Sequence, residues 1–384
     1  MLRRQIAILT YFRFFSALRF GAVLLIIYFH RVSGSYALGM SIFSITSLSQ
    51  LLFDIPTGVL SDRFGRKPIV VSGALTGLLF TVCYAIGLNY WFLALGALLE
   101  GLARALFSGN DAALLYETLA EVHLEELYPE YLGKISAAEP LAFALAALAG
   151  GFIATRSFHL AFWLTLLPQT IALCLTFFLR EPLAVSRQGT RGSGYVRQAL
   201  RQFGRNQKLR LLVTASALRY AFGESAFQFQ PAFFQMLWPI WALGLQRTLT
   251  NAASALSFYF SGRVIARFEA LKVLMAEVLI DRLLNTVALL FPSIVSPILM
   301  SLTAFTYGPA EVATGTLLQQ EFTQEQRATM GSISSQAENL AFAIAAVGIG
   351  LVADRVGAVR ALLLMQALLL GTLWLYRLIF RHDK

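Results

Sequence analysis

Residues 136–156 recur 199 positions later: SAAEPLAFALAALAGGFIATR aligns with the segment at 335–355, and 12 of the 21 positions are identical. A second echo has almost the same spacing, SALRF at 16–20 against SALRY at 216–220. A chain that carries the same apolar segments twice, half its length apart, is built from two copies of one helical bundle. Such doubling suits a moving gate between two like halves rather than a fixed catalytic pocket.

Twelve apolar runs fall at 6–30, 37–60, 68–88, 91–115, 134–155, 158–180, 209–229, 240–262, 271–291, 295–319, 330–353 and 358–380. Each is long enough to cross a hydrocarbon core of ~30 Å. A β-barrel needs segments of about ten residues with strict alternation, which these continuous runs lack. With 57% hydrophobic and 14% charged residues and a mean hydropathy of +0.65, the chain does not have the composition of a soluble protein. The expected fold is all-α and membrane-spanning. A six-helix bundle is placed at 1–180, a basic cytoplasmic linker at 181–208 and a second bundle at 209–384. A monomer is expected.

The net charge of +10 does not point to nucleic acid, because its distribution is that of a membrane protein. With the spans above, 21 of the 31 Lys and Arg fall on one side, 4 on the other and 6 within helices. The positive-inside rule then puts both termini, the 61–67 loop and the linker in the cytoplasm of a bacterium, with the chain in its inner membrane. In the linker, Arg197, Arg201 and Arg205 with Tyr195, Leu200 and Phe203 suggest an amphipathic helix on anionic headgroups. The first run contains Arg13 and Arg19 and no cleavage-like site, so it reads as a retained helix. Cys83 and Cys174 sit within apolar runs as packing thiols. No Cys/His cluster has ligand spacing, and no G-x-x-x-x-G-K-[ST] phosphate loop is present. Neither a metal, a cofactor nor ATP hydrolysis is expected, and the chain does not read as an enzyme.

Between the second and third runs lies GVLSDRFGRKPIV, Gly58–Val70. Glycines in such a loop permit a tight turn and close helix approach, while a carboxylate beside three cations can dock on a helix end. The segment resembles the loop signature G-x-L-x-D-R-x-G-R-R/K of the major facilitator superfamily, which Gly58, Leu60, Asp62, Arg63, Gly65, Arg66 and Lys67 fill without a gap. The resemblance implies twelve helices in two six-helix repeats. It also implies that Asp62 and its basic neighbours lock the cytoplasmic side when the cavity faces outward. An ordinary positive loop is the competing reading, but anchoring alone does not require Gly58, Asp62 and Gly65. The second half carries a worn copy from Gly262, in which Ala266 stands in the place of Asp62, so a lock using that carboxylate is one-sided.

In the fourth run, Glu100, Arg104, Ser108 and Asp111 are spaced four, four and three, which places them along one helical face. The stripe is similar to the superfamily's fourth-helix signature, in which an arginine assists proton transfer, although Gly109 lies five residues after Arg104 rather than four. A Glu100–Arg104 pair that only holds helices together is the alternative. In the fifth run Glu139-Pro140 begins the helix and Gly150-Gly151 ends it, without the Gly-Pro pair of many drug/proton antiporters. The Ala142, Ala146, Gly150 series reads as close packing.

Arg19 and Arg219 are equivalent in the repeat, as are Glu139 and Glu338. A charge at mid-depth costs at least about 2.5–3.5 kcal/mol by insertion scales, so two symmetric arginines need carboxylate partners or an anionic ligand. By the architecture of the family, helices 1, 4, 7 and 10 line the central cavity, and its organophosphate exchangers grip phosphate with one arginine from helix 1 and one from helix 7. The resemblance therefore implies substrate binding by Arg19, Arg219, Arg104, Asp111 and Glu311, with Arg19 and Arg219 expected to face one another. Internal salt bridges to Glu100, Asp111, Glu224 and Glu311 are the competing reading. Six helix-interior arginines (13, 19, 104, 219, 247, 282) meet about nine acids (54, 100, 111, 139, 224, 277, 281, 311, 338), so not every acid has its own cation. An unpaired buried carboxylate tends to be protonated, and Glu100, Asp111, Glu139 and Glu338 are the proton-coupling candidates.

The expected function is proton-driven transport of a small, possibly anionic solute by alternating access, with efflux as the direction. Uptake by symport or exchange is an alternative, as are a lipid flippase and a transport-dead sensor. The expected partners are the solute, protons and the bilayer.

Overall fold

The computed structural model describes residues 2–182, 203, 206–321 and 327–382, and every regular element among them is helical. The 181–208 linker lies almost wholly outside the described residues. The first half comprises α1 (Leu2–Ala17), α2 (Leu25–Ser33), α3 (Tyr36–Phe64), α4 (Arg66–Ile86), α5 (Tyr90–Phe107), α6 (Asn110–Ala120), α7 (Tyr128–Ser136), α8 (Ala138–Arg156) and α9 (Phe158–Phe177). The second comprises α10 (Gln207–Phe234), α11 (Ile240–Phe268), α12 (Ala270–Leu290), α13 (Ser296–Leu302), α14 (Ala304–Glu321), α15 (Arg327–Val356) and α16 (Ala358–His382). These make twelve crossings, because α1–α2, α5–α6, α7–α8 and α13–α14 are each one crossing broken in two. Among the described residues, eight crossings are long and apolar enough to span a membrane on composition alone. The other four run consecutively from Gln207 to Glu321 and carry more of the charge. Large apolar side chains such as Leu52, Ile55, Leu167 and Tyr259 are well exposed.

The breaks have local causes. Between α1 and α2 the chain leaves the helix at Leu18–Gly21, and the freed backbone groups are met by α9: Phe20 N–H donates to Thr165 Oγ1 (3.1 Å), and Gln169 Nε2 donates to the Ser16 carbonyl (3.0 Å). The carbonyl of Phe20 lies where a Cβ of Gly150 would sit, so α8 approaches the break only because that residue is glycine. Between α5 and α6, Gly109 turns the chain with φ +72°. The expected single face of Glu100, Arg104, Ser108 and Asp111 is thereby corrected: only Glu100 and Arg104 share α5, and Ser108 caps it. The fifth crossing likewise does not end at Gly150-Gly151 but continues to Arg156.

The chain packs as two compact units. The first is Met1–Gly34, Ile45–Thr190 and Ile240–Thr248; the second is Ser35–Ser44, Arg191–Pro239 and Leu249–Lys384. Each unit thus takes in the starting residues of one long helix whose remainder belongs to the other. In the first, α4 packs on α5 and α9 and α1 on α8 and α9, around a core that includes Leu9, Phe12, Val70, Leu115 and Ala172. The start of α11 joins it through backbone contact of Gly244 with Ala147 and Gly151 and a Phe152–Trp241 stack at 5.8 Å. In the second, α10 packs on α15 and α16, and α12 on α14 and α16, around Leu212, Leu274, Val278, Leu317 and Ile379.

Candidate functional site

The polar interior of the first unit centres on Glu100, buried on α5. Its Oε1 meets Arg104 Nη2 at 2.8 Å and Arg19 Nη1 at 3.3 Å, and its Oε2 accepts Tyr84 Oη at 3.0 Å. Arg19 sits in the α1–α2 break, its Nε donating to the Ser16 carbonyl (3.3 Å) and its guanidinium 4.9 Å from the Phe80 ring centre. Arg104 is half-exposed, at 50%. Arg13 pairs with Glu139 at 3.2 Å. Arg19 and Arg104 thus share one carboxylate, and Arg13 with Glu139 forms a second ion pair in the same unit. The side chain of Asp111 lies outside the described part of the structure.

In the second unit the guanidinium of Arg219 on α10 spans two acids: Nη2 to Glu311 on α14 at 2.5 Å and Nη1 to Glu277 on α12 at 3.7 Å. Glu338 accepts from Ser216 Oγ at 2.5 Å, where its repeat equivalent Glu139 has Arg13; Val213 occupies the position of that arginine. Asp281 accepts from Thr306 Oγ1 at 2.6 Å and lies 3.7 Å from Arg282 Nη2. Here, among the described residues, two guanidiniums, Arg219 and Arg282, accompany four carboxylates.

The signature loop is organised by Arg66. Its Nη2 meets Asp62 at 3.2 Å, its Nε meets Glu117 of α6 at 3.1 Å, and its Nη1 donates to Ser61 Oγ at 2.8 Å. Ser61 in turn bonds Asn110. Gly65 makes the turn with φ +101°, and Glu181 closes on it by accepting the N–H groups of Arg66 (2.8 Å) and Lys67 (2.6 Å). A carboxylate at a helix start offsets the partial positive charge there. Arg63 stacks on Phe64, and Lys67 Nζ reaches the Phe177 carbonyl at 3.0 Å. Gly58 has open space where a Cβ would sit, so close packing does not account for it here.

The residues that sequence reasoning did not select are Tyr84, Glu117, Glu181, Glu277, Asp281 and Arg282. Glu277 and Asp281 left a readable trace: with Asn285 they recur every four residues in an apolar run, which puts them on one helical face.

Residues 6–346 match the Major Facilitator Superfamily. Among curated proteins, the chain is 30% identical over 154 residues to the inner membrane transport protein YajR of Escherichia coli (strain K12), covering 40% of this chain and 32% of that one. It is 27% identical over 139 residues to the class B tetracycline resistance protein of Escherichia coli (36% and 33% covered). It is 29% identical over 106 residues to the multidrug resistance protein MdtH of Proteus mirabilis (28% and 26%). These alignments span about a third or less of each relative's length. Among solved structures, a mutant of the nucleoside transporter NupG superposes with a TM-score of 0.84 at 13% identity, covering 99% of this chain and 100% of that one. A bacterial homologue of the lysosomal transporter Spinster gives 0.80 at 15%, covering 99% and 96%. These structural likenesses establish the twelve-helix fold, and the named relatives are transporters rather than enzymes. The match over most of its length, joined to the intact Gly58–Lys67 signature and the doubled six-helix architecture, makes this chain a member of the major facilitator superfamily.

Proposed function

We propose that the chain is a proton-driven secondary transporter that exports a small organic solute bearing an anionic group, by alternating access across a bacterial inner membrane with both termini cytoplasmic. The observation that carries this reading is that Glu100 gathers two guanidiniums, Arg19 and Arg104, and that Arg104 is half-exposed. A guanidinium presents a fixed fork of donors that suits a carboxylate or phosphate, so an anionic cargo group has a charge-assisted partner there. Arg104 is the contact atom set, with Arg19 behind it. Export is favoured because tetracycline and multidrug resistance proteins stand among the relatives. One proton moving through 100 mV yields about 2.3 kcal/mol, roughly a fifty-fold gradient of a neutral solute. Asp62, Arg63, Arg66 and Lys67 are assigned to gating on the cytoplasmic side.

The test is a solute screen in proteoliposomes of defined orientation with an imposed pH gradient. Accumulation of an anionic or zwitterionic compound that depends on the gradient and fails in Arg104→Gln supports the reading. Gradient-dependent movement of neutral or cationic solutes alone, unchanged by Arg104→Gln, overturns the anionic cargo.

A further inference from the structure

We propose that Glu277 and Asp281, one turn apart on α12, hold an exchangeable proton inside the second unit, charge-linked to the half-exposed Glu311 through Arg219. The inference deepens the proton-driven reading above and names where that proton resides.

The two carboxylates are 7% and 8% exposed, and Asn285, one turn further along the same face, is 4% exposed. The groups brought toward them by the neighbouring helices are Arg219 from α10, Thr306 and Glu311 from α14, and Tyr376 from α16; Tyr307 of α14 faces Glu311, Arg219 and Glu224 of α10, and α13 brings no titratable residue. On α12 itself only Arg282 is cationic near the pair. Glu277, Asp281 and Glu311 thus share two guanidiniums, and Glu338 on α15 is a fourth carboxylate held by a hydroxyl. A cluster evolved only to hold helices together gains nothing from the surplus, because an uncompensated buried carboxylate is costly. One bound proton balances Glu277, Asp281 and Glu311 against Arg219 and Arg282.

The hydrogen bonding is compatible with that proton. Among the described residues, Glu277 Oε2, Asn285 Oδ1, Arg219 Nε, two nitrogens of Arg282 and the Tyr376 hydroxyl are buried with no hydrogen-bond partner. Tyr376 is 1% exposed and lies within charge range of Arg219 and Glu277. Ionised carboxylates only accept, whereas a protonated one donates. A pair with one proton therefore offers both a donor and acceptors to surroundings in which groups of both kinds are unpartnered. Side-chain exposure falls from 48% at Glu311 through 12% at Arg219 to 8% at Glu277, a graded line from accessible to buried. Arginine keeps its own proton, so the link is by charge. When the pair is ionised, Arg219 is shared between Glu277 and Glu311; when it is protonated, Arg219 serves Glu311 alone. Whatever alters Glu311 then alters proton affinity at the pair, and the coupling is reciprocal.

The purified protein in lipid, with no cargo added, gives the direct test. Infrared titration of the wild type should show the C=O band of a protonated, non-aqueous carboxyl at neutral pH, and Glu277→Gln/Asp281→Asn should abolish it and bind one proton fewer on acidification. Glu338→Gln should leave it in place, and Glu277→Asp should keep it with a shifted titration. If the double variant does not fold, Glu277→Gln alone, which preserves shape, should move the titration midpoint. A band that survives unchanged in these variants overturns the proposal. A wild-type band that behaves as expected, in a protein that accumulates no solute under a pH gradient, would leave the proton site standing and overturn the proton-driven reading instead.

Discussion

The carboxylate of Asp354 accepts the backbone N–H of Tyr36 at 2.7 Å, and with it the N–H of Ala37 (3.0 Å) and the hydroxyl of Ser35 (2.5 Å). A side chain 318 residues away thus caps the start of α3. The repeat equivalent of Asp354 is Thr155, whose hydroxyl bonds back to the Phe152 carbonyl at 2.6 Å instead. Removing an N-cap acceptor costs about 0.5–2 kcal/mol. Asp354→Ala should lower thermal stability by that order in detergent, and Thr155→Ala by much less; equal effects would show that the cap does not hold α3.

Gly150→Ala should damage the first unit. Its methyl meets the Phe20 carbonyl in the α1–α2 break, and displaced backbone in a packed interior costs about 1–3 kcal/mol. Gly133→Ala, with open space at its Cβ position, should instead be neutral or stabilising by up to about 1 kcal/mol, since alanine favours the helix. A denaturation series comparing the two variants checks the contrast.

Glu269 holds φ +64° at the α11–α12 turn, the place that Gly65 fills in the first half with φ +101°. A side chain there costs about 1–2 kcal/mol, and the exposed pair with Lys272 at 3.0 Å offsets little of it. Glu269→Gly should raise stability by about 1 kcal/mol. A drop in melting temperature would refute the strain.

Arg66 is bound by Asp62, Glu117, Ser61 and, through its backbone, Glu181. Asp62→Asn removes one exposed partner and should lower transport while sparing expression and insertion. Arg66→Gln strands Glu117 and should cost about 1–3 kcal/mol. Should both variants fold and transport normally, the loop has no gating role.

Arg104→Gln should weaken binding of an anionic solute roughly 10- to 150-fold, the worth of a charge-assisted hydrogen bond of about 1.5–3 kcal/mol. Glu100→Gln should remove the carboxylate that Arg19 and Arg104 share and lower the amount of folded protein, with recovery in Glu100→Gln/Arg104→Gln. Equilibrium binding and size-exclusion yield separate the two effects. Unaltered affinity in folded Arg104→Gln removes this residue from the cargo site.

The twelve crossings were legible in the sequence because a bilayer demands runs of about 20 apolar residues, and the repeat halved the problem. The breaks were not. Gly21 and Gly109 look like any glycine in an apolar run, and only the presence of Thr165, Gln169 and Gly150 on other helices makes the 18–24 break stable. The caps by Glu181 and Asp354 escaped notice for a similar reason: readable caps lie at the helix start, whereas these come from 115 or more residues away. Glu277 and Asp281 stood in the count of interior acids, but the surplus became local only when Arg219, Glu311 and Tyr376 converged from three further helices.

Thr165 and Gln169 bear on how the chain is made. Open backbone groups facing hydrocarbon cost several kcal/mol each, and those of residues 16 and 20 are satisfied from α9. The N-terminal crossing therefore cannot hold its final shape alone in lipid. Although synthesised ahead of the sixth crossing, it is completed only after the sixth has entered the membrane, and until then it must stay a plain helix or remain sheltered by the insertion machinery.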